Sequence, residues 1–350
     1  MSCVLGIETT CDETACAVVE NRRIVRSNVV RTQIDLHQKY GGVVPEIAAR
    51  AHIEWLNDIV DEALRLAGVG PSSLTGIGVA NCPGLVGCLL VGVSAAKALA
   101  YAWDKPLVGV NHVHAHLYAG CLAGAGKSGA ATLGNSDPLP LPALGLVISG
   151  GHTTLYQVED FRTLHRLGST IDDAVGEAFD KVAAILQLGY PGGPLVEKLA
   201  RQGDANAVKF PLSLLGKDSM DFSFSGLKTA VLYHVNGHQG KERTSADVSW
   251  RERANTAAAF QRTVVEMLEI KVRRALETFR ANAIFVGGGV SANQAVRSAL
   301  QRLSQEAGIP LFLPPMEYCT DNAAMIAGLG AELLAHGQVD DLDLSAIATA

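Results

Sequence analysis

The stretch VLGIETTCDETACAVVE, Val4 to Glu20, is an apolar run, a polar turn of Thr, Asp and Glu, and a second apolar run. Apolar flanks around so polar a turn predict a β-hairpin. A second stretch, LGLVISGGHTTLYQVED, Leu144 to Asp160, repeats the layout, with Gly150 and Gly151 in its turn and acid at its end. Two copies of one pattern predict an internally duplicated chain.

Between the copies, helix and strand alternate: a helical stretch near Ile47–Ala67, a strand at Gly76–Ala80, then NCPGLVG and a helix-like run to Tyr101. Residues Ala123–Pro142, dense in Gly, Ala, Ser and Pro, read as a connection between lobes. Past the second copy come a helix at Asp172–Leu186, the turn YPGGP (Tyr190–Pro194), an amphipathic helix near Ala254–Arg280 and a last helix at Ala323–Leu334. A chain of 350 residues exceeds one ordinary core and fits two. The expected division is 1–122, completed by the C-terminal segment 322–350, then the connection 123–142, then 143–321.

Hydrophobic residues at 48% and charged ones at 18% describe a compact globular protein. A net charge of -6 excludes a uniformly basic coat, so any nucleic-acid contact has to come from local patches. Seven scattered cysteines without a C-x-x-C pair indicate neither a disulfide framework nor a zinc ribbon, which suits a reducing compartment. Met1 leads straight into an apolar strand, Val4–Ile7, with no basic region or cleavable stretch before it. The apolar run Leu85–Ala96 stops at Lys97, too short to span a bilayer, and the expectation is a soluble, cytoplasmic protein without membrane contact.

In AIFVGGGVSANQAV, a strand at Ala283–Val286 runs into Gly287, Gly288 and Gly289, after which Ser291 and Asn293 open a helix. Glycines let a ligand approach the backbone, and a helix N-terminus offers free N–H groups to phosphate or ribose. VISGG (Val147–Gly151) and the turn Glu8–Asp12 are two more polar loops after strands. Three such loops on a duplicated frame resemble the ASKHA (actin, Hsp70 and sugar kinase) superfamily. That likeness implies a two-lobed α/β fold of duplicated RNase H-like domains with nucleotide between the lobes. The GKS at Gly126–Ser128 is no phosphate loop, because Cys121 stands where that motif needs glycine.

NHVHAH places His112 and His116 four residues apart, on one face of a helix, where they can grip one metal ion; His114 points elsewhere. Asp321, in YCTDNAAM, is the candidate third ligand, although Thr320 or Asp321 equally suits the cap of the last helix. Two histidines and a carboxylate suit Fe(II), with zinc close behind. A metalloprotease of the H-E-x-x-H type is excluded, since Val113 holds the place of its glutamate.

With GIETTCDET, YGGVVPEIAAR, PGLVGCLLVG, the H-x-x-x-H pair, VISGGHT, IDDAVGEAFDK, YPGGP, FSFSGLKTA, FVGGGVSAN and CTDNAAMIA in order, nearly the whole chain resembles the TsaD family of tRNA N6-adenosine threonylcarbamoyltransferases. The resemblance implies transfer of threonylcarbamoyl from threonylcarbamoyl-AMP to N6 of adenosine 37 in tRNAs reading ANN codons, forming t6A and releasing AMP. It implies one divalent metal per subunit on His112, His116 and Asp321. It also implies a donor lying across Val147, Ile148, Ser149, Gly150, Gly151, Asp180, Gly193 and Asn293, and companions in a non-catalytic paralogue (TsaB) and a small ATPase (TsaE). No general base is assigned; Asp12, Glu13 and His152 are acid–base residues on loops that equally suit hydrogen bonding within their turns. Two positions depart from the family pattern: His114, where glutamate is frequent, and Cys82, where glycine is usual. Cations for tRNA are Arg22, Arg23, Arg26 and Arg31, or Lys271, Arg273 and Arg274, which equally suit ordinary solvated faces. The competing readings are carbamoyl transfer to a small molecule and a non-enzymatic ATP-binding assembly protein.

Overall fold

The computed structural model describes residues 2–122, 133–134, 137–237 and 248–349, so the GKS motif and most of the 123–142 connection lie outside the described residues. The chain divides into two compact units: Met1–Leu139, Phe161–Thr163 and Pro314–Ala350 form the first, Pro140–Asp160 and Leu164–Leu313 the second.

In the first unit, β1 (Cys3–Glu8), β2 (Glu13–Glu20) and β3 (Ile24–Thr32) precede the short α1 (Ile34–His37) and the long α2 (Pro45–Ala67). Then follow β4 (Gly76–Cys82), α3 (Val86–Trp103), β5 (Leu107–Asn111) and α4 (His112–Tyr118). The sheet runs β3-β2-β1-β4-β5. The first hairpin is as read: Glu8 pairs with Ala15 and Cys3 with Glu20, antiparallel. β4 lies parallel on the other side of β1, so β1 is central and every one of its residues is buried. Leu5 and Ile7 pack with Leu56, Ile59 and Val79 in one core cluster, each large side chain stabilising the unit by about 1.5–3 kcal/mol. α2 begins with Pro45, whose fixed φ suits a first turn, and ends at Gly68 in the left-handed conformation.

The second unit contains β6 (Ala143–Ile148), β7 (Thr153–Asp160), β8 (Thr163–Ser169), α5 (Val175–Ile185), α6 (Gly192–Ala200), α7 (Ser225–Asn236), α8 (Trp250–Thr278), β9 (Ile284–Gly287), α9 (Gln294–Ala307) and β10 (Leu311–Phe312). Its sheet order, β10-β9-β6-β7-β8, matches the first sheet strand for strand when read from the other edge. β6 pairs antiparallel with β7 and parallel with β9, as β1 does with β2 and β4. The repeat seen in two sequence stretches is therefore a repeat of whole sheets. α5 starts at Val175 rather than Asp172, whose side chain is tied to the start of α7, while Asp173 bridges α5 and α7. Asp172 accepts from Ser223 Oγ (2.5 Å) and the Phe224 amide (2.8 Å), and Asp173 accepts from Lys181 (2.7 Å) and Lys228 (2.9 Å).

The chain then returns to the first unit as α10 (Ala323–Ala335), whose first eleven residues are all buried, the mark of a core helix. It lies so close to β1 that a Cβ on Gly6 would sit 2.5 Å from both Ala323 O and Ala327 N. Only hydrogen fits there.

α3 ends two residues beyond the expected Tyr101, at Trp103, and among the described residues it is the one helix long and apolar enough to cross a membrane by length and composition. Its buried positions, Cys88, Leu89, Gly92, Val93, Ala96 and Ala100, form the stripe of a helix packed on a sheet.

Lys271, inside α8, is fully buried, and its ammonium donates to Leu214 O and Ser219 O, each at 2.7 Å. Burial, reinforced by nearby Arg274, brings its pKa down from 10.5 to about 8. Between those values the folded unit holds fewer protons than the unfolded chain, so this group makes stability rise with pH. The stability difference between wild type and Lys271→Met is expected to grow from pH 8 to pH 10.5 in denaturant titrations; a flat difference would refute it.

Candidate functional site

β5 runs without a break into α4, and Asn111 at the junction caps the helix, its Oδ1 accepting from the Val113 (2.9 Å) and His114 (3.1 Å) amides. The cap fixes the first turn, so His112 and His116 share one face, their ring centroids 4.7 Å apart and nearly perpendicular. Asp321 enters just before α10. Asn322, not Thr320 or Asp321, caps that helix, its Oδ1 accepting from the Met325 amide at 3.1 Å. Asp321 is thereby free of the capping role, and its Oδ1 lies 3.5 Å from His112 Nε2 and 3.2 Å from His116 Nε2.

Among the described residues these three form a group able to hold a metal, with all three donor atoms within 4.8 Å of one another. Two N/O donors about 2.1 Å from a shared ion at tetrahedral angles would lie about 3.4 Å apart, close to both observed separations. His116 is completely buried, and neither ring nitrogen has a hydrogen-bond partner; Nε2 approaches Asp321 without the alignment of a bond. A buried imidazole left so is costly unless an ion takes its lone pair.

The electrostatics fit the same use. Burial opposes charge on His112, but Glu8 and Asp321 outweigh it and hold its pKa well above the ordinary value. Burial also opposes charge on Asp321, yet the charge of His112 and the close approach of both imidazoles hold its carboxyl well below the usual range. A divalent cation would displace the shared proton. His114 is outside the group: it is half-buried, and burial lowers its pKa to about 4.

Glu8, at the end of β1, escaped the sequence reading. It is fully buried, its Oε1 accepts from the Thr10 amide (2.6 Å) and its Oε2 lies 2.8 Å from His112 Nδ1. The available signal was an acid closing an otherwise apolar strand. In the following turn, Glu13 accepts from Thr32 Oγ1 (3.3 Å), and burial, then the charges of Asp321 and Asp12, push its pKa up to about 9. His52 braces this turn from α2, bonding Cys11 O (3.0 Å) and Thr14 Oγ1 (2.7 Å). Cys82 closes β4, and Gly84, two residues on, packs directly against Thr10.

The nucleotide-binding candidates all belong to the second unit: Val147–Gly151 and Asn293 at or after the carboxyl ends of β6 and β9, Asp180 on α5 and Gly193 on α6. Val147 and Ile148 are buried strand residues, so what they can offer a ligand is main chain. Ser149 Oγ accepts from the His152 amide (3.1 Å), and Gly150 and Gly151 are exposed, with open space where a Cβ would stand. Gly176, at the start of α5, packs directly on Ser149 and Gly150, and Gly288 on Ile148 and Ser149, which draws the two glycine turns together. Asp180 Oδ1 accepts from the Gly192 amide at 2.7 Å at the start of α6, and burial, partly offset by the Gly192 and Gly193 amides, raises its pKa. Gly193, like Gly150, has open space beside it. Asn293 caps α9 through the Ala295 and Val296 amides (3.0 and 3.2 Å) and donates to Gln261 (2.9 Å). Glu197 of α6 accepts from the Gln294 amide at 3.1 Å, which ties α6 to the start of α9 just after β9. Ligands of open α/β sheets bind at the carboxyl ends of strands.

The cations named for tRNA are mostly engaged within the protein. Arg23 is buried rather than solvated, donating to Gly134 O and Asp137 O, and Lys271 is enclosed as described. Arg22, Arg26 and Arg273 pair with Glu332, Glu20 and Glu306; Arg274 donates to Gly216 O and Ser219 O; Arg31 lies over the Trp55 ring.

The family model of TsaD, tRNA N6-adenosine threonylcarbamoyltransferase, matches residues 24–328. A relative of that name from Anaeromyxobacter dehalogenans is 48% identical over 347 residues, 99% of this chain and 98% of its own. Another, from Moorella thermoacetica, is 50% identical over 325 residues, 92% of this chain and 89% of its own. Among solved structures, HypF from T. kodakarensis superposes with a TM-score of 0.60 at 15% identity, over 98% of this chain and 49% of that one. Component A of the Acidaminococcus fermentans (R)-2-hydroxyglutaryl-CoA dehydratase gives 0.51 at 13% identity, over 96% and 100%. These structural likenesses speak to the fold, which is the ASKHA type with two mixed sheets.

Proposed function

Because the chain belongs to the TsaD family and so transfers threonylcarbamoyl to adenosine N6 in tRNA, forming t6A, we propose that it does so with a divalent ion on His112, His116 and Asp321 and a threonylcarbamoyl-AMP donor. Small-molecule carbamoyl transfer and a purely ATP-binding assembly role are not favoured beside a family match of this extent. The observation that carries the metal is His116, buried with both ring nitrogens lacking a hydrogen bond.

Two imidazoles and one carboxylate favour Fe(II), with Zn(II) second. Such an ion supplies Lewis acidity, stabilising negative charge that develops on a carbonyl or phosphoryl oxygen. The residues of the chain do the rest. In this reading the AMP portion lies across Val147–Gly151, Gly193 and Asn293, where Gly150 and Gly151 offer main-chain N–H groups and Asp180 holds the α6 turn in position. The adenosine N6 forms a bond to the carbamoyl carbon, the carbon–oxygen bond to phosphate breaks, and AMP leaves with the electron pair while N6 loses a proton. Adenosine 37 of ANN-reading tRNAs is the proposed acceptor, with TsaB and TsaE as companions and the cytoplasm as the place of action.

Protein purified without oxygen is expected to carry a single divalent ion per chain, mainly iron, by elemental analysis. Supplied with synthetic threonylcarbamoyl-AMP and unmodified tRNA, it is expected to form t6A and AMP in equal amounts. Cells depleted of the protein that keep normal t6A in nucleoside mass spectra would sink the assignment.

A further inference from the structure

We infer that Glu8 is the positioning residue that makes His112 a metal ligand, by fixing which of its ring nitrogens carries the proton. This rests on the metal reading above.

A carboxylate with no exposure is costly to bury unless its oxygens are satisfied, and among the described residues no lysine or arginine pairs with Glu8. Its partners are of two kinds. Oε1 receives the Thr10 main-chain N–H at 2.6 Å, a donor that no side-chain change removes. Oε2 faces His112 Nδ1 at 2.8 Å. An ionised carboxylate only accepts, so Nδ1 has to donate. With the proton on Nδ1, the Nε2 lone pair faces Asp321 Oδ1, 3.5 Å away, where an ion would be held. Metal-bound imidazoles are generally held this way, and losing the outer partner typically weakens binding about 10–100-fold.

The arrangement has a polarity that a glutamine cannot reproduce. In Glu8→Gln, the one carbonyl oxygen is claimed by the Thr10 N–H, since the opposite orientation would set donor against donor. The amide NH2 then faces His112 Nδ1, which has to accept. Thr10 Oγ1, 3.3 Å from the same nitrogen, can donate to it as well. Both push the proton to Nε2, onto the lone pair an ion needs. A nearly isosteric change thus inverts the ring while leaving the packing of β1 in place.

The test is Co2+ and Zn2+ titration of the metal-free protein, following Co2+ absorption with Zn2+ as competitor. Glu8→Gln is expected to keep the wild-type circular dichroism and to bind both ions about 10–100-fold more weakly. Equal affinity in a folded Glu8→Gln protein overturns the inference, and a wild type that binds neither ion overturns the metal reading itself. Should the variant fail to fold, 15N spectra of Zn2+-loaded wild type, with His112 assigned by its absence in His112→Gln, still decide. A proton on Nδ1 and coordination through Nε2 support the assignment; coordination through Nδ1 refutes it.

Discussion

An Asp321→Ala protein is expected to fold, to lose its ion and to transfer threonylcarbamoyl about 10^3-fold more slowly. Asp321 is the one carboxylate of the group, and its Oδ1 faces both imidazoles, at 3.2 and 3.5 Å. Without it two neutral nitrogens remain, too few to hold a divalent ion in competition with water. The lost Lewis acidity amounts to several kcal/mol, and about 4 kcal/mol corresponds to about 10^3-fold in rate. The experiment is clean because α10 is capped by Asn322, so the substitution leaves the helix start intact. Single-turnover transfer from synthetic threonylcarbamoyl-AMP, read by nucleoside mass spectrometry beside elemental analysis, is the measurement. A metal-free variant that transfers at the wild-type rate would remove the ion from the reaction.

The second large effect belongs to the second unit. Gly288 has φ 93° and ψ 158°, backbone territory that is nearly exclusive to glycine. A Cβ there would also stand 2.5 Å from Ile148 O and 3.1 Å from Ser149 Cβ. Strain and overpacking each cost about 1–3 kcal/mol, so Gly288→Ala is expected to destabilise the unit by about 4 kcal/mol in denaturant titrations. AMP affinity should fall with it, because the β6 and β9 turns are pressed apart. Gly193→Ala is the contrasting case. Its Cβ meets nothing in the protein, so stability should stay within about 0.5 kcal/mol while AMP binding, followed calorimetrically, weakens if the nucleotide lies there. Unchanged AMP affinity in Gly193→Ala would remove that glycine from the donor site.

What could be read from the sequence was local. The hairpin at Val4–Glu20 and its echo at Leu144–Asp160 sit wholly within short windows, as does the four-residue spacing of His112 and His116. β3 was missed because its residues alternate little; IVRSNVVRT mixes charge and apolar groups on a half-exposed strand. The remaining misses concern partners far apart in the chain. Glu8 acquires its role from a histidine 104 residues away, and Arg23 and Lys271 look like surface cations until distant carbonyls accept their hydrogen bonds. Asp321 and Asn322 are adjacent, and the choice between ligand and cap was open until the backbone showed which side chain turns into the helix.

The close seating of α10 on Gly6 joins the last helix of the chain to its first strand, so the His112–His116–Asp321 group is completed late in synthesis. A ribosome releases β1 and the imidazole pair early, yet the carboxylate emerges only after the entire second unit has been made. A nascent polypeptide therefore carries only two of the three residues of that group.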